Sequence, residues 1–331
     1  MVRVALAVAA AAAVILSAPV VQQAFTAASA IFPNIGTTAT ALPIAVAVLV
    51  AIVRVRDRRR LRFTALAVSV AIGAFYIRLN ALSATESFHF VEYTLVACLF
   101  YMALLPADDG LILVLPAIAA IATGILDEWF QWFVPMRAGE LRDIGLNAVA
   151  GVCGVLFAVS LRPPSRLTLR LSRRSRARVA GWGAFTLALL ALFAVTVHVG
   201  YEVRDPEIGT FVSRYTAAQL SALARDRAAS WRASPPVAIR RFSREDQYLS
   251  EGLWHVQRRN EAWSQDDIAV AWRENLILEK FFAPVLAAPT SASASAHRWP
   301  AEQRAHAASR PGIDRRPSAN EDYRWPLYVV R

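Results

Sequence analysis

Seven apolar runs, at residues 4–21, 38–53, 63–79, 88–105, 111–126, 144–161 and 179–201, constrain this chain more than anything else in it. A helix needs about 20 mostly apolar residues to cross the hydrocarbon of a bilayer, where only helices and closed barrels satisfy their own backbone. The runs therefore predict an all-α fold: a polytopic membrane helix bundle of about seven transmembrane helices. An apolar share of 56% is too high for an ordinary soluble chain and points the same way. The second and fifth runs are short, suiting little tilt or a thin membrane. Residues 4–21 follow Arg3 and contain Ser17-Ala18, so a cleaved signal peptide is the alternative to an anchor.

The formal charge is +11, and Lys280 is the single lysine. Much of the arginine excess sits in two loop-sized runs, residues 54–62 and 162–178, the second with seven arginines. Such runs between apolar segments are what cytoplasmic loops carry, and they exclude nucleic acid as a partner. The expectation is a multi-pass protein of the bacterial cytoplasmic (inner) membrane, with its N-terminus cytoplasmic. Four crossings separate the two runs, so their parity agrees. Residues 106–110, Pro-Ala-Asp-Asp-Gly, then form a cytoplasmic turn without a positive residue, which is the weak point of this topology. Cys98 and Cys153 sit alone in apolar runs and make neither a disulfide framework nor a zinc signature.

Five regions follow. Residues 1–62 hold two helices and an arginine loop, 63–161 a four-helix core, and 162–201 the second arginine loop and last helix. Residues 202–288 are expected to be a mostly helical extracytoplasmic region, and 289–331 a largely disordered tail. Within 204–231, Phe211, Tyr215, Leu220 and Leu223 recur at near-helical intervals. Trp254, Trp263 and Trp272 are expected to form a small core there rather than a glycan platform. Residues 323–330 are apolar again and are expected to dock back. His198, His255, His297 and His306 show no ligand spacing.

Three polar clusters flank the apolar runs. They are Glu86-Ser-Phe-His89-Phe-Val-Glu92-Tyr93, then Asp127-Glu128-Trp-Phe-Gln131-Trp-Phe-Val-Pro-Met-Arg137, then Arg142-Asp143-Ile-Gly-Leu-Asn147. With the topology above, all three fall at the outer face. Asp127 and Gln131 are four residues apart, as are Asp143 and Asn147, so each pair shares a helix face. Gly151 and Gly154 continue the Asn147 side, allowing close helix approach. Charges cost about 2.5–3.5 kcal/mol at a helix centre, so acids and arginines grouped this way point to a site or to mutually satisfied interhelical pairs. Trp129, Phe130, Trp132 and Phe133 suit an interfacial aromatic belt.

Over residues 63–161 these motifs resemble the VanZ-like family of bacterial membrane proteins. The likeness lies in the histidine motif entering one helix, the Asp-Glu-x-x-Gln motif with its aromatic-Val-Pro-x-Arg continuation, and the Asp143 to Asn147 opening of the next helix. Glu86 stands where many relatives carry Asp-Lys, and Ala138 where glycine or serine is usual. The resemblance implies a four-helix unit, associated in its namesake with low-level resistance to a glycopeptide antibiotic, and implies no established chemistry.

The expected site is an outward polar pocket of Glu86, His89, Glu92, Tyr93, Asp127, Glu128, Gln131, Arg137, Arg142, Asp143 and Asn147. It would bind the head group of a membrane lipid or lipid-linked envelope intermediate without catalysis and without a cofactor. Envelope maintenance or antibiotic tolerance is the setting it suits. Arg137 and Arg142 suit phosphate or carboxylate recognition. One alternative is an intramembrane enzyme with His89 as general base, Glu92 or Asp127 as its orienter and Arg137 as anion stabiliser. A metal held by His89, Glu92, Asp127 and Glu128 is its variant. No activated Ser or Cys nucleophile accompanies it. Another alternative is a structural scaffold whose tail meets an extracytoplasmic protein partner.

Overall fold

The computed structural model describes every residue except 1, 33, 81–83, 108, 134–138, 166–167, 234–246, 288–296, 311–328 and 331. The chain is predominantly helical and divides into two compact units: residues 1–131 with 139–193, and residues 132–138 with 194–331.

Seven helices start the chain: α1 (Val2–Ile31), α2 (Ile35–Arg54), α3 (Arg59–Leu79), α4 (Ala84–Leu104), α5 (Leu111–Gln131), α6 (Leu141–Leu161) and α7 (Arg173–Val197). Six of them, α2 to α7, are long and apolar enough to cross a membrane, while the apolar part of α1, Val2–Ala18, is shorter. The outward apolar surface is large: Leu42, Val46, Leu49, Phe75, Leu79, Leu95 and Leu187 are all exposed. In water such a surface would drive aggregation; lipid covers it without penalty.

The first unit is organised around α6, which packs against α3, α4 and α5. Small residues make that approach possible. A Cβ on Gly154 would lie 2.7 Å from the Thr94 carbonyl oxygen and 2.8 Å from the Ala97 Cβ, and one on Gly151 would lie 2.8 Å from the Ala120 Cβ. With no hydrophobic force between helices in lipid, this contact and a few polar bridges carry the association. Ser69 Oγ donates to the Cys153 carbonyl at 2.9 Å and Tyr101 Oη to the Arg162 carbonyl at 2.8 Å.

The arginine loops meet at one end of this unit. Buried Arg62 donates to the carbonyls of Ser160 and Leu161 at 2.7 and 2.8 Å, satisfying the last turn of α6. Arg58, in a left-handed backbone conformation, donates to the carbonyls of Pro164 and Ser165. The acidic turn joins them. Asp109 accepts from the backbone N–H of Ser172 at 2.9 Å and of Leu111 at 3.0 Å, and Gly110 N–H donates to the Arg170 carbonyl. The Ser172 amide first, then the Ser175 side chain and the Leu111 amide, hold the Asp109 carboxyl down at about 2. Backbone amides and serine side chains therefore supply what the acidic turn lacked.

The second unit is mostly helical but opens on strands that were not expected. Its strands β1 (Val199–Asp205) and β2 (Gly209–Ser213) form an antiparallel hairpin, with Tyr201 opposite Ser213 and Asp205 opposite Gly209. The two-residue strand β3 (Val329–Val330) adds in parallel beside Val199 and Gly200. Phe211 thus lies on a strand, and the helix read from Phe211 onward begins only at Ala217. The competing signal is alternation: Val203 and Phe211 point inward while Glu202 and Arg204 point out, and Pro206 and Gly209 (φ +87°) bracket the turn. Consequently α7 stops at Val197 rather than continuing to residue 201.

Helices α8 (Ala217–Ala233), α9 (Gln247–Ser264), α10 (Ile268–Phe281), α11 (Ala283–Ala287) and α12 (Ala301–Ala308) complete this unit. Its core is Val203, Ile208, Phe211, Leu220, Tyr248, Ile277, Leu278 and Phe282. Trp254, Trp263 and Trp272 are half-buried, and Trp263 and Trp272 pack against a small cluster of Ala262, Ala271, Trp299 and Ala307. Arginines cover two of the rings, Arg258 over Trp254 and Arg304 over Trp272. Inside the stretch read as disordered, α12 places Ala307 and the preceding Trp299 against Ala262 and Ala271. A buried indole stabilises a segment whose composition alone looks polar. The Pro235-Pro236 break and most of residues 323–330 lie outside the described residues.

Candidate functional site

The three polar clusters open α4, close α5 and open α6, at the end of the first unit opposite the arginine loops. Glu86 to Tyr93 lie in α4, Asp127 to Gln131 in α5 and Arg142 to Asn147 in α6.

Four of the expected residues are tied directly together. Tyr93, fully buried, donates its hydroxyl to Asp127 Oδ2 at 2.8 Å. Gln131 Nε2, one turn after Asp127, reaches the same oxygen at 3.1 Å and Glu128 Oε1 at 3.3 Å. Glu128 Oε2 accepts from the backbone N–H of Glu140 at 3.1 Å. Glu140 is the residue before α6, so this carboxylate sits where that helix presents its unsatisfied amides. Gly139 makes the approach possible: a Cβ there would fall 2.4 Å from the Glu128 carbonyl oxygen.

The remaining residues surround this knot. His89 Nδ1 lies 3.3 Å from Glu92 Oε2, and both side chains are largely covered, at 15% and 16% exposed. His89 is within electrostatic reach of Asp127 and Asp143, and its ring lies 6.2 Å from that of Tyr93. Arg142 pairs with Glu86 at 2.9 Å, at the exposed rim. Arg142 is thus already engaged with an acid. Asp143 is half-buried one turn before Asn147, which is fully buried against Gly124 of α5. Arg137 lies outside the described residues, as does Ala138.

The geometry separates the expected roles. Asp127 is hydrogen-bonded to Tyr93 and Gln131, and Glu92 is the carboxylate beside His89. Among the described residues, no three His, Cys, Asp or Glu side chains are grouped so as to hold a metal ion. Gly124, Gly139 and the Glu140 amide escaped the sequence reading. Glycines beside a polar motif could have signalled the first two.

The second unit holds a further buried cluster that histidine spacing missed. His255 Nδ1 meets Glu274 Oε2 at 2.6 Å, both almost fully buried, and Arg258 lies 3.0 Å from the other Glu274 oxygen. Glu251, one turn before His255, accepts from the Arg214 backbone N–H at 3.2 Å. Burial pushes the Glu251 carboxyl above its ordinary range. The signal was present as the i, i+4 pair Glu251 and His255, on the face of α9 that carries Tyr248 and Val256 towards the core. This unit also has an open cleft of about 370 Å³ lined by Arg259, Trp263, His297 and Trp299. Arg259 at its wall donates to Asn275 Oδ1 at 3.3 Å, and Asn275 Nδ2 donates to Glu279 Oε1 at 2.9 Å.

No family model, no curated protein and no solved structure matches this chain.

Proposed function

We propose that this chain is a VanZ-like integral membrane protein of the bacterial cytoplasmic membrane, whose outward polar cluster holds the head group of a lipid or cell-envelope intermediate. The reading takes seven crossings, a cytoplasmic N-terminus and arginine end, and an extracytoplasmic second unit available to a protein partner. One observation carries it. Tyr93, Asp127, Glu128 and Gln131, from two helices, interlock with the start of a third at the end away from the arginine loops. Ordinary helix association in lipid needs only small residues and an occasional hydrogen bond. A buried group of several acids and amides exceeds that need and suits recognition of a polar ligand. Envelope maintenance or antibiotic tolerance is the cellular role such recognition would serve.

Cysteines placed singly at Arg142 and Arg60 test the topology. An impermeant thiol reagent on intact cells should label the first and spare the second. Lipids retained by purified wild-type protein, compared with the Gln131→Ala variant by mass spectrometry, test binding. Retention that the substitution leaves unchanged would sink the head-group reading.

The His89–Glu92 pair favours a second reading, general-base catalysis on a lipid-linked substrate. Glu92 beside Nδ1 orients the ring and leaves the other nitrogen to take a proton. Turnover of an added lipid by wild type but not by His89→Gln, with and without chelator, separates catalysis from binding.

A further inference from the structure

We propose that the polar cluster takes a primary ammonium group, held between the second carboxylate oxygen of Asp127 and the side-chain amide of Asn147. The inference rests on the head-group reading above and narrows it to the chemistry of the group bound.

Asp127 is 1% exposed. Its Oδ2 accepts from Tyr93 and Gln131, two neutral donors, while its Oδ1 is buried without a hydrogen-bond partner. Asn147 is fully buried, and neither its Oδ1 nor its Nδ2 has a hydrogen-bond partner. Its side chain is aimed at α5: Nδ2 would be 3.2 Å, and Cβ 2.8 Å, from a Cβ placed on Gly124. Gly124 precedes Asp127 by three residues and Glu128 by four, so the amide lies one turn along the same face. The unpartnered Asp127 Oδ1 and the unpartnered Asn147 amide therefore stand on facing helices about one turn apart. Native proteins seldom leave buried polar atoms without partners, and these two belong to different helices at one place.

Charge then selects the ligand. A carboxylate in surroundings of low polarity needs a counter-charge; Tyr93 and Gln131 supply hydrogen bonds only, and His89, the basic side chain within electrostatic reach, stands against Glu92. An ammonium brings the positive charge and three N–H donors, matching Asp127 Oδ1 and Asn147 Oδ1. A phosphate brings acceptors and negative charge to a place already rich in both. The arginine described at the rim, Arg142, is committed to Glu86. The ammonium could arrive on a lipid, as in an ethanolamine head group, or as a free amine from water.

Full-length protein in detergent, titrated with phosphatidylethanolamine, phosphatidylcholine and phosphatidylglycerol under native mass spectrometry, tests this. Phosphatidylethanolamine should bind about ten-fold tighter than phosphatidylcholine, which lacks N–H donors, and than phosphatidylglycerol. The near-isosteric Asp127→Asn should lower its affinity about ten-fold, and Asn147→Leu should do likewise. Millimolar ethanolamine that displaces the lipid would support the site through a free amine; a preference that survives it would support the lipid-borne group. If phosphatidylglycerol binds as tightly as phosphatidylethanolamine and Gln131→Ala weakens it, the ammonium inference falls while the head-group reading stands. If no lipid responds to any of the three variants, the head-group reading falls as well. The lipid comparison uses wild-type protein, so it decides the matter even where a variant fails to fold.

Discussion

Tyr93 is the residue on which the membrane cluster turns, because its hydroxyl is the link from α4 to α5. Tyr93→Phe keeps the ring packed against Leu146 and Cys153 but takes one donor from Asp127. Gln131 still donates to the same oxygen, so the change removes one hydrogen bond to a carboxylate, worth about 1.5–3 kcal/mol. Unfolding of the variant in mixed detergent should show a loss of that size, and unchanged stability would mean the bond carries nothing. In the second unit the equivalent residue is Glu274, between His255 and Arg258. Removing one partner of a buried pair typically costs about 3–5 kcal/mol, since the other charge is left stranded. Glu274→Gln should therefore lower the melting temperature of the second unit sharply, as followed by tryptophan fluorescence. A shift within error would show that neutral hydrogen bonding suffices there.

Among the elements, the turn between α4 and α5 is where charge and backbone meet most directly. Asp109 anchors the loop before α7 through the Ser172 amide, and its carboxyl is held below the ordinary value of 3.8, at about 2. A depressed carboxyl stabilises the fold above its unfolded value and loses that effect as pH falls through the folded one. Protection of the Ser172 amide against hydrogen exchange, corrected for intrinsic rate, should hold at pH 4–5 and fall away near pH 2. Asp109→Ala, which has no acceptor, should lack the protection at both, and a pH-independent wild type would contradict the assignment. The long apolar helices were legible from residue types alone, since twenty apolar residues leave little choice in lipid. The β1–β2 hairpin was harder to see. Val203, Phe211 and Leu220 fit a loose helical spacing as well as they fit alternation followed by a turn, and short segments do not separate the two periods.

For the molecule as a whole, the division into two units makes separable predictions. A stop codon after Tyr201 removes α8 to α12 and leaves every described residue of the Tyr93–Asp127–Gln131 cluster in place. If recognition resides in that cluster, the truncated protein should retain the same lipids as the full chain. Loss of lipid retention with an intact, well-expressed bundle would favour the scaffold reading, in which the second unit does the interacting.

Residue chemistry alone determined where this chain is apolar, which loops carry arginine, and that acids, amides and a histidine gather at one end of three helices. Those are properties of each side chain's own transfer free energy, added along the chain. Tertiary structure alone decided that Asp127 answers to Tyr93 and Gln131, that Glu92 stands beside His89, and that Asn147 keeps its amide unpartnered. Partnership depends on how far each helix is rotated about its axis and how closely two axes approach. Successive helical residues differ by about 100°, and the approach is set by contacts such as Gly151 with Ala120 and Gly154 with Thr94. That information lies between segments, in none of them singly.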